Sequence, residues 1–227
     1  MNNFLFLIAF CGLGIIQSVD PYEELRHVGD AMNSKSSLLE YEMQILYFTS
    51  NNSQIPEEKL SVKIARKGNN VYMSSDYFEI LAYGKHYIMI NPEEKTIYLS
   101  EKQVVNRLDV VTSFINQAKS LENFNASCKF SGNQGLITFS APKVSRSKFE
   151  LTYDSDSYLV KSVNMIVDID EDYIEFGKKS KMQVLFSDYN KSKNDFPYRL
   201  HDFLRYDGKK YHPSSRYRGY QVINEKK

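Results

Sequence analysis

The 227-residue chain has no tryptophan, only two cysteines and almost no net charge. Its 29 Lys and Arg residues balance 28 Asp and Glu residues, which leaves a formal net charge of +1. The chain therefore lacks the positive field that phosphate backbones require, and we expect no nucleic acid partner. Only Cys128 follows the apolar N-terminal segment, and a single cysteine cannot form an internal disulfide. The fold must depend on packing alone.

The sequence also lacks the familiar enzyme motifs. It contains no Gly-x-Ser-x-Gly elbow, no phosphate-binding loop that ends in Gly-Lys-Ser/Thr and no His-Glu-x-x-His pair. A dense acidic cluster at residues 168–172 lacks the glycine of a calcium loop, which favours a solvated hairpin tip. The four histidines have no close ligand spacing: His27, His86, His201 and His212. We expect no catalysis, no cofactor and no metal.

The N-terminal residues 1–18 have the pattern of a signal peptide. From Phe4 to Ile16 the chain is uncharged and mostly apolar, which is too short to cross a bilayer as a helix. Ser18 then supplies a small residue at a plausible cleavage point. We predict export with cleavage near Ser18, so that residues 19–227 form one mature domain.

The residues that are present favour strands. Tyr and Phe number 17 and 14, and both pack well on a pleated, half-buried surface. Asp20 and Pro21 predict a helix start, with Tyr22, Leu25, Val28 and Met32 on one face. From Leu38 to Phe48 the period changes to two, with Leu39, Tyr41, Met43, Ile45 and Tyr47 on one side. This alternation predicts a long strand with one wet face.

Two meanders of strands are predicted, separated by an amphipathic helix from about Glu101 to Asn123. The first has strands around Leu60–Ile64, Val71–Met73, Phe78–Ala82, His86–Ile90 and Thr96–Ser100. The second has strands at Ser127–Phe130, Leu136–Ser140, Lys148–Tyr153, Tyr158–Ile169 and Lys181–Asp188, and a last short strand follows at Gly219–Ile223. The connections are of hairpin length, whereas parallel pairs need long crossovers. An antiparallel, strongly curved sheet is therefore expected.

The order helix, meander, crossing helix, meander resembles the periplasmic outer-membrane lipoprotein carriers of the LolA-like superfamily over residues 21–223. Residues 80–92 look like the hairpin around a Gly-Lys turn in that family, and residues 184–190 look like the strand that closes its second meander. The resemblance implies a mainly β (α+β) fold, in which a single curved antiparallel sheet forms a half-barrel with helices covering the concave side. One departure is that Leu38–Phe48 contains no arginine, which the best-known carriers use to close the cavity.

This resemblance implies a periplasmic carrier or chaperone that binds the acyl chain of a lipoprotein or another lipid. The apolar sides of the strands give the hydrophobic cavity that we predict: Tyr41, Met43, Ile45, Val62, Ile64, Met89, Met165, Val167, Val184 and Phe186. Methionine is flexible and polarizable, and it adapts to irregular apolar guests as readily as it fills gaps in a core. The alternative is a non-enzymatic envelope scaffold or interaction module with a filled interior.

The C-terminal segment, residues 191–227, is basic and rich in tyrosine. It carries ten Lys and Arg residues against four Asp and Glu residues. Such a surface suits an acidic envelope protein or anionic headgroups. The alternative is that its tyrosines simply cover the sheet: Tyr198, Tyr206, Tyr211, Tyr217 and Tyr220. We expect a monomer.

Overall fold

The computed structural model describes residues 19–50, 52–101, 125–140, 148–166 and 181–224. Within these ranges, twelve strands form one open, curved sheet, and two further strands form a separate ribbon. The strands are β1 (Leu38–Phe48), β2 (Glu58–Lys67), β3 (Asn70–Ser74), β4 (Glu79–Tyr83), β5 (His86–Asn91), β6 (Thr96–Ser100), β7 (Asn125–Ser131), β8 (Gln134–Ser140), β9 (Lys148–Asp154), β10 (Val160–Ile166), β11 (Lys181–Ser192), β12 (Leu204–Tyr206), β13 (Tyr211–Pro213) and β14 (Gln221–Asn224). The helices are α1 (Pro21–Met32) and α2 (Leu200–Phe203), with a 3₁₀ turn at Ser215–Tyr217.

The sheet consists of two meanders joined through its longest strands. Its order is β14-β6-β5-β4-β3-β2-β1-β11-β10-β9-β8-β7, so β1 and β11 pair at the junction, antiparallel from Leu38–Ser192 to Phe48–Lys181. Among the described strands, β14 and β7 are the outer ones, and they do not pair with each other. The predicted mainly β fold with one curved sheet open as a half-barrel is confirmed.

One detail of the predicted topology is wrong, because the last strand runs parallel to its neighbour. β14 pairs with β6 from Gln221–Thr96 to Asn224–Leu99. The backbone N–H of Gln221 also donates to the carbonyl of Lys95 at 2.9 Å. A parallel pair requires a long crossover connection, and the residues between β11 and β14 return the chain to β6. The short connections within the two meanders do not predict this crossover.

Helix α1 forms as its sequence predicts. Pro21 occupies its first turn, and the carboxylate of Asp20 accepts a hydrogen bond from the N–H of Tyr22 at 2.9 Å. Leu25, Val28 and Met32 are buried in a cluster with apolar side chains from both meanders. We call the sheet face under α1 the concave face and the opposite one the convex face.

The two meanders differ in how many of their faces are buried. In β4, Ile80, Leu81 and Ala82 are all buried, although successive residues point to opposite faces. The second meander instead alternates, as in β8, where only every other residue is buried. The convex side of the first meander is covered by residues of the C-terminal segment: Phe196, Tyr198, Leu200, Phe203, Leu204, Tyr211, Tyr217, Tyr220 and Val222.

Several predictions fall outside the described residues. These are the signal peptide at residues 1–18, nearly all of the helix predicted at Glu101–Asn123, the acidic cluster, and Val167. No helix in the described ranges is long and apolar enough to span a membrane.

Candidate binding face

The concave face brings together nine of the residues predicted to line a cavity. Six of them are buried in one apolar cluster: Tyr41, Met43, Val62, Ile64, Val184 and Phe186. Ile45, Met89 and Met165 are partly buried and pack against the same cluster. Side chains such as Met43, which is 1% exposed, are packed as a core. A ligand therefore finds apolar surface only where burial is incomplete, and the ligand-binding role of these residues stays a prediction.

Burial is incomplete along one row of side chains that crosses five strands. Tyr47 of β1 lies opposite Met182 of β11, and Met182 lies opposite Met165 of β10. Met165 in turn lies opposite Phe149 of β9, and Phe149 lies opposite Phe139 of β8. All except Phe139 are partly exposed. We call these five residues the aromatic–methionine row, and four strand spacings make it about 19 Å long.

The row adjacent to it is closed. It runs from Ile45 through Val184, Val163 and Leu151 to Ile137, and every member after Ile45 is fully buried. The concave face thus changes from sealed core to accessible apolar surface within one step along the strands. Alternation within β1 puts Tyr47 on the same side as Tyr41 and Met43, and alternation within β11 puts Met182 on the same side as Val184. It gives no sign of Phe149 and Phe139, because only the strand register brings them into one row.

A polar cluster is enclosed on the far side of the sealed row, around Tyr153 of β9. The hydroxyl of Tyr153 donates to the carboxylate of Glu24 on α1 at 2.5 Å, and the thiol of Cys128 lies 3.8 Å from the same hydroxyl. Burial first, and then the hydrogen bond to Glu24, raise the pKa of Tyr153 well above its ordinary value. Burial likewise raises the pKa of the Cys128 thiol. A protonated, half-buried thiol is a poor nucleophile, so this cluster suits packing of α1 rather than catalysis.

An arginine also lies on the concave face, although β1 has none. Arg66 of β2 pairs with Leu39 of β1, whose side chain belongs to the concave cluster, so both side chains point to that face. Arg66 is buried, and its Nε donates to the carbonyl of Gly68 at 3.2 Å.

The tyrosines of the C-terminal segment are largely used within the fold. Tyr72 stacks on Tyr198 with ring centroids 3.8 Å apart, and the hydroxyls of Tyr72 and Tyr217 donate to the carboxylate of Glu79 at 2.5 and 3.0 Å. Arg216 contacts the same carboxylate at 2.9 Å. Of the five tyrosines in the segment, only Tyr206 is largely exposed to solvent, at 60%. A docking surface on this segment must therefore depend on its charges.

No cluster of three or more His, Cys, Asp or Glu side chains that could hold a metal ion occurs in the described part of the chain. The four histidines lie on separate elements: α1, β5, α2 and β13. His86 lies 3.3 Å from the hydroxyl of Tyr211, and His212 lies 2.6 Å from Asp207. The first contact joins β13 to β5 of the large sheet, and the second lies within the β12–β13 ribbon.

No family model and no curated protein matches the chain. Solved structures similar to it include MucB of Pseudomonas aeruginosa in complex with MucA (11% identity, TM-score 0.40), with 76% of this chain aligned to 57% of that chain. A LolA superfamily protein of Nitrosomonas europaea has 12% identity and a TM-score of 0.36, with coverages of 79% and 96%. LprF of Mycobacterium bovis has 12% identity and a TM-score of 0.36, with 76% of this chain aligned to 94% of that chain.

Proposed function

We propose that this protein is a non-enzymatic periplasmic carrier that binds the acyl chain of a lipid or lipoprotein along the aromatic–methionine row. The observation that carries the proposal is a continuous apolar row in which every side chain except Phe139 is partly exposed, beside a row that is fully buried after Ile45. Such surface is costly in water unless something covers it, since each Å² of buried apolar area contributes about 25 cal/mol. The partly exposed part of the row, from Tyr47 to Phe149, is linear like an extended acyl chain and crosses three strand spacings, or about 14 Å.

The chemistry of the row suits a flexible apolar guest. Met182 and Met165 stand at its centre and adjust their shape through three rotatable bonds. Tyr47 and Phe149 flank them and offer flat apolar surfaces. A mixture of this kind fits acyl chains of different lengths and does not select one rigid ligand.

A pair of tryptophan substitutions tests this function. Met165→Trp fills the row at a partly exposed position, so we expect at least tenfold weaker binding of a dansyl fatty acid with little loss of stability. Met43→Trp is the matched control, because Met43 is 1% exposed in the sealed core. Overpacking there should cost about 1–3 kcal/mol of unfolding free energy and leave probe affinity unchanged at temperatures where the variant is folded.

Either of two results would contradict acyl-chain binding along the row. If the wild type takes up no probe, or if Met165→Trp binds it as well as the wild type does, the row is not the binding site. Measurement by fluorescence titration and guanidinium unfolding on the same preparations separates the two effects.

A second function is favoured by the burial of most of the concave cluster. Val184 is fully buried and Met43 nearly so, which suits a filled interior and an envelope scaffold that binds a protein partner. Exposed basic side chains of the C-terminal segment, such as Arg205, Lys209 and Lys210, are the surface we propose for an acidic partner. Charge reversal at Lys209 and Lys210 should then weaken partner binding without changing probe uptake.

Export belongs to the same proposal. Mature protein taken from its own periplasm should begin near Val19, as N-terminal sequencing would detect. Protein that retains Met1 in a cytosolic fraction would contradict the periplasmic assignment.

A further inference from the structure

Strand β2 extends well beyond its neighbour β3. β2 pairs with β1 as far as Glu58, opposite Tyr47. Its pairing with β3 stops at Lys63, opposite Ser74, where the chain turns back towards β4. Among the described residues, none pairs with residues 59–62 on the side where β3 would continue. This stretch of an inner strand is therefore a local sheet edge.

A cavity of about 440 Å³ lies at this edge. It is lined by Tyr47, Glu58, Lys59, Leu60 and Tyr77, the last of which stands in the turn between β3 and β4. We call the unpaired stretch 59–62 together with this cavity the β2 notch. Tyr77 is 70% exposed across the opening. The notch is thus bounded by a backbone edge on one side and an aromatic ring on the other.

The backbone of the notch has a defined hydrogen-bonding pattern. β2 and β3 are joined by a two-residue turn that closes at the Lys67–Asn70 pair. Residues that bond across an antiparallel ladder alternate, so the N–H and C=O of Lys67, Ala65 and Lys63 point to β3. The same alternation turns the N–H and C=O of Ser61 and Lys59 towards the open side. These groups match the backbone of another extended chain.

The side chains around the notch add a preference. Leu60 lies on the concave face and packs against its apolar cluster, and Tyr47 lies on the same face. A strand seated beside residues 59–62 would direct alternate side chains onto Val62 and Leu60 of β2, with Glu58 at the end of the stretch and Tyr47 behind it on β1. Those positions favour apolar residues, whereas the opposite face, next to the exposed Lys59, accepts polar ones.

We propose that the β2 notch binds an extended segment of a partner polypeptide, which adds to the free edge of β2 as a short strand with alternating apolar and polar residues. The main chain supplies affinity through Ser61 and Lys59, and the concave side chains supply selectivity. This goes beyond acyl-chain binding and does not depend on it, because strand addition uses the backbone edge of β2, whereas the acyl chain would lie across β1 and β8–β11. Tyr47 stands where the two sites meet.

Proline at Ser61 tests the notch. The N–H of Ser61 points away from β1, so Ser61→Pro removes a donor from the open edge and leaves the β1–β2 ladder in place. Ser61→Ala is the matched control, since it retains the N–H. Peptides selected from a phage-displayed random library against the wild type should bind Ser61→Ala with unchanged Kd and Ser61→Pro at least tenfold more weakly.

Hydrogen exchange on the wild type gives a second measurement that does not depend on the folding of a variant. Binding of a selected peptide should slow exchange at the amides of Lys59 and Ser61 and leave Lys63, already paired with β3, unchanged. Failure of the library to enrich any binder, equal affinity for the proline and alanine variants, or protection confined to another strand would overturn the proposal. Dansyl fatty acid uptake by Ser61→Pro should equal that of the wild type.

Discussion

The hydroxyl of Tyr153 donates a hydrogen bond of 2.5 Å to the carboxylate of Glu24, and so joins strand β9 to helix α1. Tyr153 is fully buried, and Glu24 is 9% exposed. Burying a carboxylate is costly unless hydrogen bonds replace its water. This pair therefore holds α1 in one position on the concave face and also limits how freely α1 can lift away.

Tyr153→Phe should lower the free energy of unfolding by about 1–3 kcal/mol, because it leaves the Glu24 carboxylate buried without this donor. Denaturant unfolding would measure the loss. Glu24→Gln in the Tyr153→Phe background should restore part of it, since a neutral amide is less costly to bury than an unpaired carboxylate. Tyr206→Phe, at a side chain that is 60% exposed, serves as the control. Equal stability of Tyr153→Phe and wild type would contradict a structural role for the pair.

The alternation of apolar and polar residues predicted much of the concave face. It could not predict contacts between residues that are far apart in the sequence. The alternation in Leu38–Phe48 correctly placed Tyr41 and Met43 on the inward face. In the sequence, Glu24 is an acidic residue of the first turn of a helix, a position that acidic side chains commonly occupy. Only the docking of α1 brings it to Tyr153. The aromatic–methionine row and the parallel pairing of β14 likewise depend on strand register, which periodicity leaves undetermined.

Gly135 explains how the ring of Tyr153 fits against the sheet. The two residues are opposite each other on β8 and β9, and a Cβ added at Gly135 would lie 2.2 Å from Cζ of Tyr153. Since Tyr153 is fully buried, its ring cannot swing away. Gly135→Ala should therefore cost roughly 1–3 kcal/mol or more of stability through overpacking. Thermal and denaturant unfolding, with Gln134→Ala at the exposed neighbouring position as control, would detect this. A neutral effect would mean that the ring has room to shift.

Alkaline pH should weaken the fold through Tyr72. Burial and the hydrogen bond to Glu79 raise the pKa of Tyr72 from an ordinary 10 to about 12. A raised tyrosine pKa favours the protonated form in the folded state, so its contribution is complete below pH 10 and is lost as the pH rises towards 12. Unfolding free energies measured between pH 9 and pH 12 should decline above pH 10. The decline should be less steep in Tyr72→Phe, and identical slopes would exclude this group as a cause.

The C-terminal segment covers the convex side of the first meander, and we expect this packing to stabilise the fold. Phe203 is fully buried there, stacks on Tyr217 with centroids 5.8 Å apart and lies 5.9 Å from Tyr72. Phe203→Ala removes the largest buried side chain that α2 places on the first meander, and such truncations typically cost about 3–5 kcal/mol.

We therefore expect Phe203→Ala to lower the denaturation midpoint strongly and to speed amide exchange in β14, whose chain leaves this cover to pair with β6. Tyr206→Ala, at a side chain of β12 that is 60% exposed, should change neither. If both variants behave alike and remain close to the wild type, the C-terminal segment is not required for the convex packing. Its tyrosines would then be available to a partner, and the assignment of that segment as a cover of the sheet would fail.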